Sequence, residues 1–327
     1  MIRQQAFENP GRKMLKGALH CHTTRSDGQL TPEELLKKYH EHGYNFVAIT
    51  DHRIYNYKNF APDLPVTVIP GMEADVTFHQ ASSAFRRCYH TVCLGPAKEN
   101  GNGFEQDEIV LVPKEVYSEK DGPQPEVIEG YQKFLDSVHE KNNLTIYCHP
   151  EWSATPARFF DRQEGNAAME IWNTSSYICN DADTNAAYWD DVLGLGKVIY
   201  GVATDDGHGI RDCCGGWVMV NAENSIPSIL DALQNGAFYS SCGPEIHDFY
   251  LRDDGYLMIE CSPVIKVNLY CDGCQPLVIR AEKKDITCTC FRVDGYDYVR
   301  LSIEDAEGRR AWTNPIFLNR KKFGLEY

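Results

Sequence analysis

The chain has 327 residues, 43% of them hydrophobic, enough for a large core or two. Its 47 Asp and Glu against 32 Lys and Arg leave a net charge of -15. That balance argues against stable nucleic-acid binding, because affinity for a phosphate backbone rests on basic side chains.

The opening MIRQQAFENPGRKM lacks the apolar core of a secretion signal. MLKGALHCH then reads as a strand. TPEELLKKYHEHG reads as a helix with Thr31 as N-cap, Pro32 at its first position and Glu34 completing a capping box. Its apolar residues Leu35, Leu36 and Tyr39 fall at helical spacing, and Gly43 is the stop. NFVAITDH and VTVIPGMEAD are buried strands, and YHTVCLG is a third, with an antiparallel setting open to it. Residues 97–123, rich in Gly, Asn, Glu and Pro, form a surface excursion, with a lid as one reading. A helix over 124–141 leads to the strand LTIYCHP, after which AAMEIWN, KVIYGVATDDGH and WVMVNAE continue the series to a helix near 225–236. This alternation predicts an α/β architecture with a mostly parallel sheet.

The character changes near Gly243. EIHDFYLRD, YLMIECS, VIKVNLYCD, ITCTCFRVD, YDYVRLSIED and AWTNPIFLN are short alternating strands separated by DDG, CDG, VDG and AEG turns. They predict a small β-sandwich of about 80 residues. The chain thus divides into 1–243 and 244–327. No run of about 18 apolar residues could span a bilayer. The thirteen cysteines are odd in number and scattered through apolar segments, which suits reduced thiols in a cytoplasmic protein.

The chemistry-bearing residues sit at the ends of predicted strands. His20 and His22 close the first, and because residues i and i+2 of a strand face one side, both imidazoles can reach one ion. Asp27 follows in TTRSDG. Asp51-His52 closes the next strand, Glu73 another, His90 opens YHTVCLG, His149 ends LTIYCHP, and Asp205, Asp206 and His208 end KVIYGVATDDGH. In a parallel barrel these ends form one face, where active sites lie. That many imidazoles and carboxylates on one face require cations to relieve their mutual strain, and mixed His/carboxylate sets suit manganese, iron or zinc.

HCHTTRSDG, ITDH, GMEAD, YHTVCLG, CHPEW and ATDDGH, in this order and spacing, resemble the polymerase-and-histidinol-phosphatase (PHP) superfamily over residues 15–243. The resemblance implies a distorted (βα)7, TIM-like barrel with three divalent metals. It implies that His20, His22, Glu73 and Asp206 hold the first, with spacing to His208 favouring Asp206 over Asp205. Glu73 would bridge to a second held by His90 and His149, and Asp27, His52 and His208 would hold a third. It further implies a phosphoesterase in which a hydroxide bridging two ions attacks a small phosphorylated metabolite or nucleotide. The end of the chain, from GAFYSSCGPEI to GRRAWTNPIFL, is similar to the stand-alone CehA/McbA-like branch. That branch brings in a second reading, a hydrolase of a carboxylic ester, amide or carbamate. A non-catalytic binding module is a third reading, and a nuclease a fourth.

Around these positions, Arg25, Asn173 and Arg211 are candidates for substrate contact, Arg53 a weaker one. Asp51 is placed to orient a ligand imidazole. Glu170 reads as supporting or structural, and Cys21 and Cys148 as packing residues that point away from the ligands. Cys271, Cys274, Cys288 and Cys290 read as buried or edge thiols more than as a zinc knuckle. A homo-oligomer stays open, with the β-rich end as its natural support.

Overall fold

A computed structural model of the chain describes residues 1–9, 11–79, 86–96, 125–182, 186–282 and 284–325. The excursion expected at 97–123 lies outside the described residues. β1 (Ile2–Arg3) and β2 (Leu15–Ala18) open the chain and lead to α1 (Pro32–Glu41). The Thr31 hydroxyl accepts the Glu34 N–H while the Glu34 carboxylate accepts the Thr31 N–H, so two of the helix's orphan donors are satisfied reciprocally. Leu35, Leu36 and Tyr39 turn into the core, and Gly43 leaves the helix in the left-handed conformation, φ +79°.

β3 (Phe46–Ala48), β4 (Thr67–Ile69), β5 (Gly71–His79) and β6 (Arg86–Leu94) follow, then α2 (Pro125–His139) and β7 (Leu144–Tyr147). Next come β8 (Asn166–Asn173), α3 (Thr174–Asn180), α4 (Ala186–Gly194), β9 (Tyr200–Thr204), β10 (Trp217–Val220), α5 (Ile226–Gln234) and β11 (Phe238–Ser241). After Gly243 the described chain forms strands: β12 (Ile246–Leu251), β13 (Tyr256–Val264), β14 (Lys266–Tyr270), β15 (Leu277–Arg280), β16 (Ile286–Arg292), β17 (Tyr298–Glu304), β18 (Arg310–Thr313) and β19 (Ile316–Phe317).

The architecture is mixed α/β with a β-rich end, but the strands do not close into a barrel. One sheet runs β5-β6-β7-β8-β9, with β5/β6 and β6/β7 antiparallel and β7/β8 and β8/β9 parallel. A second runs β15-β14-β17-β18-β11-β10-β2-β3-β4, and only β2/β3/β4 pair in parallel within it. Two features break the expected circuit. The antiparallel β10 occupies the edge of β2 that a closed barrel would give to β9, pairing Val218 with Gly17. Between β4 and β5 stands Pro70, which has no N–H for a ladder. Among the described residues the ladders of the two sheets are joined by isolated bridges, Cys21 with Gly207, His52 with Glu73 and Asn56 with Gly71, while their faces share an apolar core. Two of these bridges lie at the strand ends that carry the candidate ligands. The mostly parallel sheet expected from the alternation is therefore replaced by two mixed sheets.

At the β-rich end, β1-β12-β13-β16 form a further sheet. Phe249, Leu257, Ile259 and Phe291 from it share one apolar core with Val267, Leu269, Val299, Leu301 and Ile303 of the long sheet, and with Ala6 and Phe7. The long sheet continues without a break across Gly243, because β11 pairs with β18. No helix among the described residues is long and apolar enough to cross a membrane. Cysteines 21, 93, 148, 179, 213, 214, 242, 261, 271, 274, 288 and 290 are free thiols.

Candidate metal centre

Six strands and one loop deliver the candidate ligands to one place. His20 and His22 follow β2. Between them, Cys21 turns the other way and donates its thiol to the Ala48 carbonyl at 3.0 Å. His52 follows β3, Glu73 and His90 lie on the neighbouring β5 and β6, His149 follows β7, and Asp206 and His208 follow β9. Asp27 comes from the loop after His22. His149 and Asp206 have left-handed backbones, φ 26° and 50°, a conformation that non-glycine residues adopt at a cost and that concentrates at functional sites. At Asp206 the conformation is held by its N–H bonding the His20 carbonyl at 3.0 Å.

All nine positions come together. The ligand atoms of His20, His22, Glu73 and Asp206 lie within 4.8 Å of one another, as do those of His22, Asp27, His52 and His208, and those of His52, Glu73 and His90. His149 groups with Glu73 and Cys148. The deepest set is fully enclosed: His20, His22 and Glu73 side chains have no exposed surface, whereas Asp27 is 53% exposed and His208 32%. The cluster thus runs from a closed floor to an open mouth.

Proton positions define which way the lone pairs point. His20 Nδ1 lies 2.7 Å from Glu170 Oε1, so the proton sits there and Nε2 turns its lone pair inward. His149 Nδ1 lies 3.2 Å from Ser153 Oγ, and His208 Nδ1 donates to the Asp206 carbonyl at 2.8 Å, which leaves each Nε2 facing the cluster. His22 Nε2 stands 3.2 Å from His20 Nε2. Glu73 Oε2 and Asp206 Oδ1 are buried and take no hydrogen bond. Orphaned acceptors and converging lone pairs of this kind fit a cation and little else.

The electrostatics agree. Burial alone lowers the pKa of His20 and of His22. The carboxylates of Asp206 and Glu73 outweigh it, with Glu170 adding to the effect at His20, so His20 ends well above its ordinary value and His22 at about 9. Burial raises Glu73, yet the facing His90 and His20 hold it well below the usual carboxylate range. Asp206 is likewise lowered against its burial, by His20 and His22. These directions hold for the site without an ion; a bound cation would displace the inward protons and leave each Nε2 lone pair free to coordinate.

A second layer fixes the first. Glu170, fully buried in β8, accepts from His20 Nδ1, the Thr204 hydroxyl at 2.6 Å, the His149 N–H at 2.8 Å and the Asn173 amide at 2.9 Å. Asn173 also donates to Asp206 Oδ2 at 3.2 Å and caps α3 through the Ser176 N–H. It therefore braces the cluster and does not line an open pocket. Asp205 faces away: its carboxylate accepts the Tyr39 hydroxyl and the N–H groups of Cys214, Gly215 and Gly216 at 2.7–2.8 Å. Asp51 touches no imidazole, contrary to expectation. It accepts from the Thr23 N–H and hydroxyl, the Ser26 hydroxyl and the Asn56 amide, and so fastens the loop that carries Asp27. Cys148 also departs from expectation. Its thiol lies within 4.8 Å of the ligand atoms of His20 and Glu170, because the left-handed turn at His149 breaks strand alternation and brings both neighbours to the site.

Arg25 bonds Asn56 Oδ1 and lies over the Phe60 ring at 5.3 Å, on the loop between His22 and Asp27. Arg211 is exposed, three residues past His208. Arg53 pairs with Asp75 at 2.6 Å. The metal-capable groups among the described residues do not include Cys271, Cys274, Cys288 or Cys290. Sequence reasoning passed over Trp152, whose indole stands 4.8 Å from the His149 ring and 5.5 Å from the His90 ring. The signal was present as the aromatic three residues after a ligand in CHPEW.

The family model for the PHP domain matches residues 18–182, just over half of the chain. The chain belongs to the PHP family. The match takes in His20 through His149, and Asp206 and His208 lie beyond it. No curated protein matches the chain. Among solved structures it is similar to a two-domain Bacteroides vulgatus protein containing a PHP-like metal-dependent phosphoesterase, at 14% identity over 94% of this chain and 96% of that one, with a TM-score of 0.46. It is also similar to a metal-dependent phosphoesterase of Bifidobacterium adolescentis, at 12% identity over 59% of this chain and 87% of that one, TM-score 0.33. An amidohydrolase of Chromobacterium violaceum with bound sulfate matches at 16% identity over 59% of this chain and 88% of that one, TM-score 0.34.

Proposed function

We propose that this PHP protein is a metal-dependent phosphoesterase acting on a small phosphorylated metabolite or nucleotide at a site for three divalent ions. The observation that carries the reading is the pair of buried, orphaned oxygens, Glu73 Oε2 and Asp206 Oδ1, with imidazole nitrogens around them at 3.0–3.3 Å. His20, His22, Glu73 and Asp206 would hold one ion. Glu73, His90 and His149 would hold a second, and Asp27, His52 and His208 a third, with manganese, iron or zinc as the fitting elements. When bound, such ions polarise a phosphoryl group and make a nearby water nucleophilic at neutral pH.

The chain's own residues prepare that chemistry. Glu170 keeps a proton on His20 Nδ1, and Ser153 and the Asp206 carbonyl do the same service for His149 and His208. Asn173 holds the Asp206 rotamer. The gradient of exposure from Glu73 to Asp27 leaves one open side, where a phosphoryl group can enter and Arg25 can meet it. On the same reading residues 1–243 carry the chemistry as a distorted, incompletely closed relative of a (βα)7 barrel, and 244–327 form a sandwich-like support.

The test is metal analysis of the purified protein followed by phosphate release from phosphomonoesters, nucleotides and cyclic diesters, with aryl esters and carbamates alongside. Metal-dependent phosphate release that drops at least a thousandfold in His22→Ala is the expected result, because losing a ligand from the enclosed floor removes the ion itself. Cleavage of esters or carbamates alone would transfer the site to that chemistry. Fewer than two ions per chain with no turnover would overturn the catalytic reading.

A further inference from the structure

We propose that Trp152 is the leaving-group platform of this site and that the protein prefers substrates whose leaving group is a planar aromatic or heterocyclic ring. The inference rests on the phosphoesterase reading and narrows its substrate class. Trp152 is 45% exposed, one of the largest apolar surfaces the described chain presents to solvent. It stands against the candidate ligands, edge-on to His149 with rings at 74° and tilted over His90 at 48°.

The indole is held in place. Ser153 N–H bonds the His149 carbonyl at 3.0 Å, Ala154 N–H the Glu151 carbonyl at 2.9 Å, and Thr155 N–H the Pro150 carbonyl at 3.0 Å, so the turn carrying Trp152 is closed on itself. The His90 and His149 imidazoles stand against the ring on one side, and nearly half of its surface stays open to solvent. A rigid aromatic surface costs little side-chain entropy on binding and offers offset stacking to any ring. A short alkyl leaving group gains much less from it. A phosphoryl group seated among Glu73, His90 and His149 would carry its ester substituent past this indole.

A purely structural Trp152, shielding the imidazoles, would change thermal stability or metal content when removed but would not discriminate between substrates. The test uses the metal-loaded, full-length protein as wild type, Trp152→Ala and Trp152→Phe. Turnover is compared for phenyl phosphate and propyl phosphate. Binding of phenylphosphonate and propylphosphonate, whose P–C bond is not hydrolysed, is compared by calorimetry. The phenyl-over-propyl ratio should fall about tenfold in Trp152→Ala, in kcat/KM and in Kd, equivalent to about 1.4 kcal/mol, and Trp152→Phe should restore most of it. Phenyl-over-propyl ratios that are the same in all three proteins would overturn the proposal, and with both phosphates still hydrolysed would leave the phosphoesterase reading standing. Phosphonate discrimination that depends on Trp152 without turnover of either phosphate would sustain the platform and sink the phosphoesterase.

Discussion

Glu170 shows how much of the centre depends on a residue that would touch no metal. It is fully buried, and its two oxygens take four hydrogen bonds, from His20, Thr204, His149 and Asn173. A carboxylate at this place fixes the His20 tautomer and raises the basicity of the inward nitrogen. Glu170→Gln keeps the shape but presents an amide, with N–H donors, to a set of donors. Metal affinity should fall by about 10–100-fold, the usual effect of removing such a partner, while circular dichroism stays native. A Kd from chelator competition within twofold of wild type would refute the orienting role. Protons enter the same balance. With His22 raised to about 9 by Asp206 and Glu73 against its burial, a cation must displace a proton at neutral pH. Protons and metal compete at His20 as well as His22, so apparent affinity should climb steadily as pH rises from about 6.5 to 9. Calorimetry in two buffers of different ionisation enthalpy should show proton release on binding. A pH-independent affinity over this range would contradict it.

At the scale of elements, the loop from His22 to Gly28 is tightly built. Gly28 N–H bonds the Thr23 carbonyl at 2.9 Å, and a Cβ on Gly28 would stand 2.5 Å from the His22 carbonyl carbon and oxygen. Backbone cannot yield as a side-chain tip can. Gly28→Ala should therefore cost about 1–3 kcal/mol as overpacking, read as a lower Tm, and should shift Asp27 enough to weaken the most exposed ion's site. Full metal content at unchanged Tm would show that the loop adapts. Most of the residues that cluster were legible in the sequence as candidates, because a charged or imidazole side chain closing an apolar strand stands out against the run before it. The spacing to His208 selected Asp206 over Asp205. The structural cause is different: β9 ends at Thr204, Asp205 turns to Tyr39 and the 214–216 backbone, and the left-handed Asp206 turns inward. Glu170 was harder to weigh, being one charge inside the apolar run AAMEIWN, although a lone carboxylate in such a run is itself a signal of a buried partner. Cys148 misled because strand parity fails at His149. The mostly parallel sheet failed because sequence alternation records which elements follow one another, not that β10 takes the place beside β2 or that Pro70 ends a ladder.

Over the whole molecule, the β-rich end and the α/β part are bound by more than a shared sheet. Arg300 on β17 has no exposed surface and reaches Asp190 on α4, with Nε donating to Oδ1 at 2.8 Å and Nη2 to Oδ2 and to the Ala186 carbonyl. Its guanidinium lies 4.5 Å from the Trp189 ring and 4.1 Å from the Tyr270 ring, and the Tyr298 hydroxyl completes the set on Asp190. α4 packs Trp189, Val192 and Leu193 into the same core as Met169 and Ile171 of β8, the strand that carries Glu170. A buried ion pair adds little net stability over apolar packing, but losing one partner strands the other charge. Asp190→Asn leaves the fully buried Arg300 without its counter-charge and should cost about 3–5 kcal/mol. Arg300→Met removes that buried charge and leaves Asp190, 14% exposed, with water within reach, so it should cost less. The double variant should cost less than the sum of the two, with a coupling above about 1 kcal/mol as expected for residues in contact. Urea unfolding followed by circular dichroism measures all three. Strict additivity would mean that the pair does not join β17 to α4 energetically. If Asp190→Asn also lowers metal affinity while Gly28→Ala-type loop effects are absent, strain at α4 reaches the centre through β8, and the β-rich end contributes to the site it does not touch.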